Sequence, residues 1–155
     1  MPSEKDLYRI SLKVFLINKE GECLVLKCKN DGMFAGFWDT PGGSIDKEEF
    51  ATPFETTINR EIAEEIGEID FDLNLRPVGM GRFQNPNKES PLGGPLKALC
   101  LFFEATYKGG EIKISEEHTG FKWAKLTKEN IENLFILANL EGAKMYLENE
   151  DNHKS

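Results

Sequence analysis

The sequence predicts an α/β chain of the α+β kind, a mixed β-sheet with helices packed against both of its faces. Two observations carry this. Strand-like runs come first, then one helical stretch, then further strands, then a terminal helical stretch. Apolar residues alternate at the start of the first run but recur every four residues at Ile58, Ile62 and Ile66, so the period changes from strand to helix. No internal repeat or linker-like composition divides the 155 residues, and that length suits one domain over 1–155.

Residues Tyr8 to Ile17 begin in alternation and end apolar, as a strand that becomes buried does. Asn18-Lys19-Glu20-Gly21 is a turn and Glu22 to Cys28 a second strand, so the two make a hairpin. Lys29 to Gly36 is a loop, and Phe37 to Thr40 a short strand halted by Pro41-Gly42-Gly43. Thr52-Pro53-Phe54-Glu55 carries a helix start, with Thr52 placed to cap, Pro53 in the first turn and Glu55 closing a capping box. Gly67 is the stop, which predicts a helix over about 53–66. Phe71 to Arg82 reads as extended, and Gln84 to Pro95, rich in Pro, Gly and Asn, as a loop. Leu96 to Tyr107 is a long strand, Lys108 to Glu111 a turn, Ile112 to Ile114 a short extended piece and Gly120 to Ala124 the last strand. Thr127 is placed to cap a helix running to about Asn139, with another turn or two over Gly142 to Asn149.

The composition is that of a soluble globular protein, 39% hydrophobic and 30% charged. A net charge of −8 argues against a nucleic-acid polymer or an anionic membrane as partner. A small polyanion remains open, provided a metal supplies positive charge. No apolar run approaches the roughly 18 residues needed to span a bilayer, and Met1 to Asp6 lacks the basic-then-apolar pattern of a secretory signal. Cys23, Cys28 and Cys100 are odd in number and show no CxxC spacing, so they read as reduced packing thiols in a cytoplasmic protein. His118 and His153 have no partner at metal-binding spacing.

The densest chemistry lies in Arg60-Glu61-Ile62-Ala63-Glu64-Glu65-Ile66-Gly67. Its three carboxylates stand at i, i+3 and i+4, on one helical face about a turn long. Side by side they repel; a hard divalent cation turns that repulsion into binding, because it takes oxygen ligands. Ile58, Ile62 and Ile66 would face a core, leaving the acidic stripe towards solvent or a substrate. An acidic face with no role beyond solvation fits the same three residues. The flanking sequence decides between the two.

Trp38-Asp39-Thr40-Pro41-Gly42-Gly43, a spacer, and then Arg60 to Gly67 resemble the signature of the Nudix hydrolases, G-x5-E-x7-R-E-U-x-E-E-x-G-U, where U is apolar. Gly43 and Glu49 match its first half; Arg60, Glu61, Ile62, Glu64, Glu65 and Gly67 match its second. Ten residues rather than seven separate Glu49 from Arg60, an insertion of three, and Glu68 holds the last apolar position with Ile69 one place later. The preceding hairpin, Glu116-Glu117 followed by Trp123, and the terminal helix extend the likeness over roughly residues 6 to 140. The resemblance implies a single Nudix domain, an α/β/α sandwich, and a metal-dependent enzyme that splits a nucleoside diphosphate linked to another group.

The resemblance also implies roles. Glu61, Glu64 and Glu65 would hold Mg²⁺, with Mn²⁺ able to substitute, and Gly42 would offer a backbone carbonyl. Gly42 and Gly43 let the chain turn tightly, and Gly43 brings backbone close to a ligand. Arg60 would brace the motif through Glu49, or through Glu48 or Glu55 if the insertion shifts the pairing. Glu117, with Glu116 close behind, would be an extra catalytic or metal-binding carboxylate, and the general base is either Glu61 or Glu117. Arg82 and Phe83, with Lys88, border the long loop, where a ring for base stacking and a cation for phosphate suit a nucleotide. A Nudix-fold binding module without turnover is the alternative, favoured by the insertion and Glu68. An isoprenoid diphosphate isomerase would need a catalytic cysteine in a setting none of the three occupies. The expected partner is a small nucleotide, and the expected state a monomer or homodimer.

Overall fold

The structure, a computed structural model, describes residues 3–154, with side chains described to residue 151. Met1, Pro2 and the side chain of His153 lie outside these. The elements are β1 (Arg9–Ile17), β2 (Cys23–Cys28), β3 (Trp38–Asp39), β4 (Gly42–Ser44), a 3-10 turn (Lys47–Glu49), α1 (Phe54–Ile66), β5 (Asp70–Glu89), β6 (Pro95–Gly109), β7 (His118–Ala124), α2 (Ile131–Leu134) and α3 (Leu137–Lys154).

Seven strands form one mixed sheet in the order β3-β2-β1-β6-β5, with β4 joined to β1 and β7 to β2. β1 runs parallel to β6 over its whole length. Its other edge is shared, since Ser11 to Lys13 pair with β4 while Ile17 pairs with Cys23 of β2. The chain therefore leaves β2 at Trp38–Asp39 and crosses to β1 at Gly42–Ser44. Gly42 makes that crossing at φ 130°, where a Cβ would overlap the Leu12 carbonyl oxygen. Only glycine fits there.

Both faces of the sheet are covered, which is why β1 is apolar on both sides. Leu12, Val14, Leu16, Leu24, Leu26 and Phe103 form one core with Ile58, Ile62 and Ile66 of α1. The three isoleucines are fully or almost fully buried, as their spacing predicts, and each contributes about 2 kcal/mol. Phe15, Val25, Cys100, Phe102 and Phe135 form the second core, under α2 and α3. Phe15 stacks between Phe102 and Tyr146. All three cysteines are free and buried, and burial pushes the thiols of Cys23 and Cys28 up to about 12, so they are unreactive packing groups.

Four local expectations are corrected. α1 starts after Pro53 as its N-cap, with no side-chain cap, so Thr52 and Glu55 do not form the capping box. The reciprocal contact lies earlier, where the Asp46 N–H donates to Glu49 Oε1 at 2.9 Å. Gln84 to Glu89 is strand rather than loop, paired with β6 as far as Glu89–Pro95, so the turn shrinks to residues 90–94. The helix expected from Thr127 to Asn139 breaks at Phe135, whose side chain turns into the core at 1% exposure. The chain restarts at Leu137 with φ 56° and runs as one helix through Gly142. Gly142 is tolerated there because a Cβ would overlap the Phe102 ring, and Gly79 meets the Gly142 backbone from β5. Finally, residues 112–114 form no strand. The Lys113 and Ser115 N–H groups instead donate to Ile66 and Glu65 carbonyl oxygens, each at 2.9 Å, satisfying the end of α1.

Candidate active site

The loop pinned to the end of α1 carries Glu116 and Glu117 back over the helix. As a result Glu61, Glu64, Glu65, Ser115, Glu116 and Glu117 line one cleft of about 330 Å³. A neighbouring cleft of about 310 Å³ shares Glu65 and Glu117 and is bordered by Phe34, Asp39 and His118. A larger groove, about 670 Å³, shares no residue with either and is itself lined by Glu104, Glu129, Glu150 and Asp151.

The three helix carboxylates are not equivalent. The Glu64 side chain is 59% exposed and pairs with Arg60 Nη1 at 3.2 Å. Glu61 is 12% exposed, with Oε1 3.0 Å from the same nitrogen. Burial raises the pKa of Glu61 and Arg60 opposes the rise. Gly43 lies against it so closely that a Cβ there would overlap the Glu61 carboxylate. Glu65 is buried, contrary to the expectation that the whole stripe faces outward, because the chain crossing at Gly42 lands over it. Its Oε2 accepts the Gly42 N–H at 2.7 Å. Burial pushes the Glu65 carboxyl up to about 7, against the pull of Lys13. Gly42 is thus engaged here through its N–H.

Arg60 braces this face. Its Nη2 and Nε reach Glu49 Oε1 and Oε2 at 2.5 and 3.0 Å, a two-point contact, and Nη2 lies 3.4 Å from Asp46. The Arg60 hydrogen bonds hold the Glu49 carboxyl down at about 2. The pairing with Glu49 survives the insertion, which falls after the 3-10 turn, among residues 50–59. Ile69, next to Glu68, packs into the α1 core and fills the apolar position that Glu68 vacates.

A buried polar network missing from the sequence reading underlies the second cleft. Asp39 Oδ1 is 3.1 Å from Lys13 Nζ, accepts the Thr40 N–H at 2.8 Å and the Asn139 amide at 3.0 Å. Its Oδ2 is 3.1 Å from His118 Nε2. Burial alone would raise the Asp39 pKa; Lys13 and His118 more than offset this and hold it well below the carboxylate range. His118, without a partner at metal-binding spacing along the chain, lies in space with a ring nitrogen and carboxylate oxygens of Glu65 and Glu117 all within 4.8 Å.

The family model of the NUDIX domain matches residues 7–140. The chain belongs to the NUDIX domain family. Among solved structures, a MutT protein from Methanosarcina mazei Go1 superposes with TM-score 0.69 at 24% identity, covering 99% of this chain and 100% of that one. A UDP-X diphosphatase gives 0.61 at 14%, covering 97% and 66%. The NUDIX domain of Shewanella oneidensis NrtR, solved with ADP ribose, gives 0.59 at 14%, covering 96% and 90%. At these identities the likeness is one of fold. Comparison with curated proteins finds no match.

Within this Nudix fold, the sequence-selected residues separate into two groups. Glu61, Glu64, Glu65, Glu116 and Glu117 line the cleft; Gly42 contacts Glu65, Gly43 lies against Glu61, and Arg60, held by Glu49, pairs with Glu61 and Glu64. Arg82 and Phe83 sit on β5, where the Arg82 N–H donates to Glu141 of α3 at 3.1 Å. Phe83 meets Phe34 edge-to-face at 5.4 Å, which links it to the loop bordering the second cleft; no such contact ties Arg82 to it. Lys13, Asp39, His118 and Asn139 are the residues missed. The one sequence signal was Lys13, a cation in an otherwise apolar strand end.

The acidic groups form a donor set suited to a divalent cation. Carboxylates crowd one cleft, one of them is buried with a raised pKa, and the missing Cβ of Gly43 leaves its neighbour's carboxylate room.

Proposed function

We propose that this Nudix pyrophosphohydrolase uses Mg²⁺, or Mn²⁺ in its place, to hydrolyse the diphosphate bridge of a nucleoside diphosphate linked to another group. The observation that carries the reading is the convergence of Glu61, Glu64, Glu65 and Glu117 on one cleft. These four would hold the ion. A divalent ion there would offset the charge of phosphate oxygens and make a water more acidic. Arg60 positions Glu61 and Glu64 by holding the motif to Glu49. Gly43, having no Cβ, leaves the Glu61 carboxylate its place beside the turn. Glu61 and Glu117 both border the cleft, and either can accept the proton of the attacking water, which strikes one phosphorus of the P–O–P bridge. Phe34 borders the second cleft, where a base could meet its ring, and Phe83 would support that ring from behind by an edge-to-face contact. Arg82 stays the weaker candidate for a phosphate contact. The ADP ribose bound by the Shewanella domain and the name of the UDP-X diphosphatase support this substrate class.

The same fold could serve as a binding module without turnover. Its two supports weaken here, since Glu49 still meets Arg60 across the insertion and Ile69 does the work of the missing apolar residue. The test is a panel of nucleoside diphosphate derivatives with and without Mg²⁺, products identified by mass spectrometry. Release of a nucleoside monophosphate only with Mg²⁺ supports hydrolysis. Binding of a panel member without any product leaves the binding module standing and rejects the enzyme.

A further inference from the structure

We propose that His118 is a metal ligand, so that Glu65, Glu117 and His118 form a mixed oxygen–nitrogen site that favours Mn²⁺ over Mg²⁺. The inference rests on the metal-dependent reading of the cleft and goes beyond it by adding a ligand from outside the glycine–glutamate motif.

The three side chains stand on separate elements: Glu65 on α1, Glu117 on the loop pinned to its end, His118 at the start of β7. One ligand atom from each lies within 4.8 Å of the others. The His118 side chain is only 6% exposed. Its Nε2 faces Asp39 Oδ2 at 3.1 Å. Lys13, Thr40 and Asn139 occupy the other Asp39 oxygen. Nε2 is thus the ring nitrogen engaged by a carboxylate oxygen, and the tautomer that donates from Nε2 has a lone pair at Nδ1. That Nδ1 is buried and has no hydrogen-bond partner among the described residues. A buried acceptor without a donor costs free energy that a cation can recover.

A carboxylate that fixes the ring through one nitrogen and frees the other is the usual support of a metal-binding histidine. Asp39 is then a positioning residue, held in turn by Lys13 and Asn139. Imidazole nitrogen suits transition metals, whereas Mg²⁺ takes oxygen ligands almost throughout.

The experiment is pulsed electron paramagnetic resonance on the full chain loaded with Mn²⁺, alone and in competition with Mg²⁺. The expected result is nitrogen modulation of imidazole type on bound Mn²⁺. In His118→Gln, checked for folding by circular dichroism, the modulation should vanish and the Mn²⁺-over-Mg²⁺ preference fall by about tenfold or more. The unaltered protein provides a reading that does not depend on the variant folding. Bound Mn²⁺ with oxygen ligation only, or nitrogen modulation that persists in His118→Gln, overturns the His118 assignment and leaves the carboxylate site intact. Failure to bind Mn²⁺ at all overturns both.

Discussion

Replacing Glu65 with glutamine should stabilise the metal-free protein at neutral pH and abolish its response to a divalent ion. Burial raises the Glu65 carboxyl from 4.5 to about 7, although Lys13 and the Gly42 N–H pull the other way. The folded chain therefore keeps a proton that the unfolded chain has released above 4.5. Between these two values folding takes up a proton, so stability falls as pH rises and levels off above about 7. At about 1.4 kcal/mol per pH unit the loss is on the order of 3 kcal/mol. Glutamine has nothing to ionise and retains an oxygen to accept the Gly42 N–H. Urea unfolding in the presence of a chelator, at intervals from pH 4.5 to 8, measures the difference. The gap between variant and parent should widen by about 3 kcal/mol across that window. Excess Mg²⁺ should then raise the parent's midpoint, because it binds the folded state, and leave the variant's where it was. Parallel pH profiles for the two proteins would refute the account of Glu65.

Glu64→Gln should leave the unfolding midpoint nearly unchanged, because the side chain is 59% exposed, yet reduce Mg²⁺-dependent turnover by about 100-fold or more; undiminished turnover removes Glu64 from the site. Arg60→Lys should lower both the melting temperature and kcat, since one ammonium cannot reproduce the two-point contact with Glu49; parental thermal melts would show the brace to be unnecessary. Gly142→Ala should cost about 1–3 kcal/mol by driving a methyl into the Phe102 ring, with chemical denaturation as the measure and an unshifted midpoint as the contrary result. A non-hydrolysable nucleoside diphosphate should bind on the order of tenfold or more tightly with Mg²⁺ present, and Mg²⁺ should gain the same factor from the nucleotide; calorimetry that finds the two affinities independent contradicts the shared site.

What was legible in the sequence was whatever repeats at short range. Ile58, Ile62 and Ile66 announced both α1 and its buried face, and Gly67 its end. The glutamates of that helix carried their pattern with them, and the Arg60–Glu49 pairing followed from motif position despite the insertion. Burial of Glu65 was not legible, because it depends on the chain crossing at Gly42 that lands over the helix. The Lys13–Asp39–His118–Asn139 network was invisible for a similar reason. Asp39 and Asn139 stand 100 positions apart and meet only after α3 has folded across the sheet. Gln84 to Glu89 misled because Asn85, Pro86 and Asn87 signal a turn, whereas pairing with β6 overrides that preference. The irregular register between Asn85 and Glu89 accommodates Pro86, which has no N–H to give. Gly142 misled in the opposite direction, since a glycine that weakens a helix locally is required by the Phe102 ring beneath it.

On the proposed reading, charge would make metal and substrate linked partners at this site. The protein carries a net −8, and the cleft concentrates carboxylates further. Its nearby cations are already committed, Arg60 to Glu49, Asp46, Glu61 and Glu64, and Lys13 to Asp39. Among the described residues lining the two clefts, Lys29 is the one lysine or arginine. A diphosphate approaching such a surface meets repulsion that one loop lysine cannot reverse. A divalent ion would reverse it locally and leave the distant surface acidic, so small anions would be favoured where the ion sat and long polyanions disfavoured elsewhere. Arg60 and Lys13 shape the carboxylates without neutralising the cleft, so on the proposed reading the ion would be needed for binding as well as for chemistry.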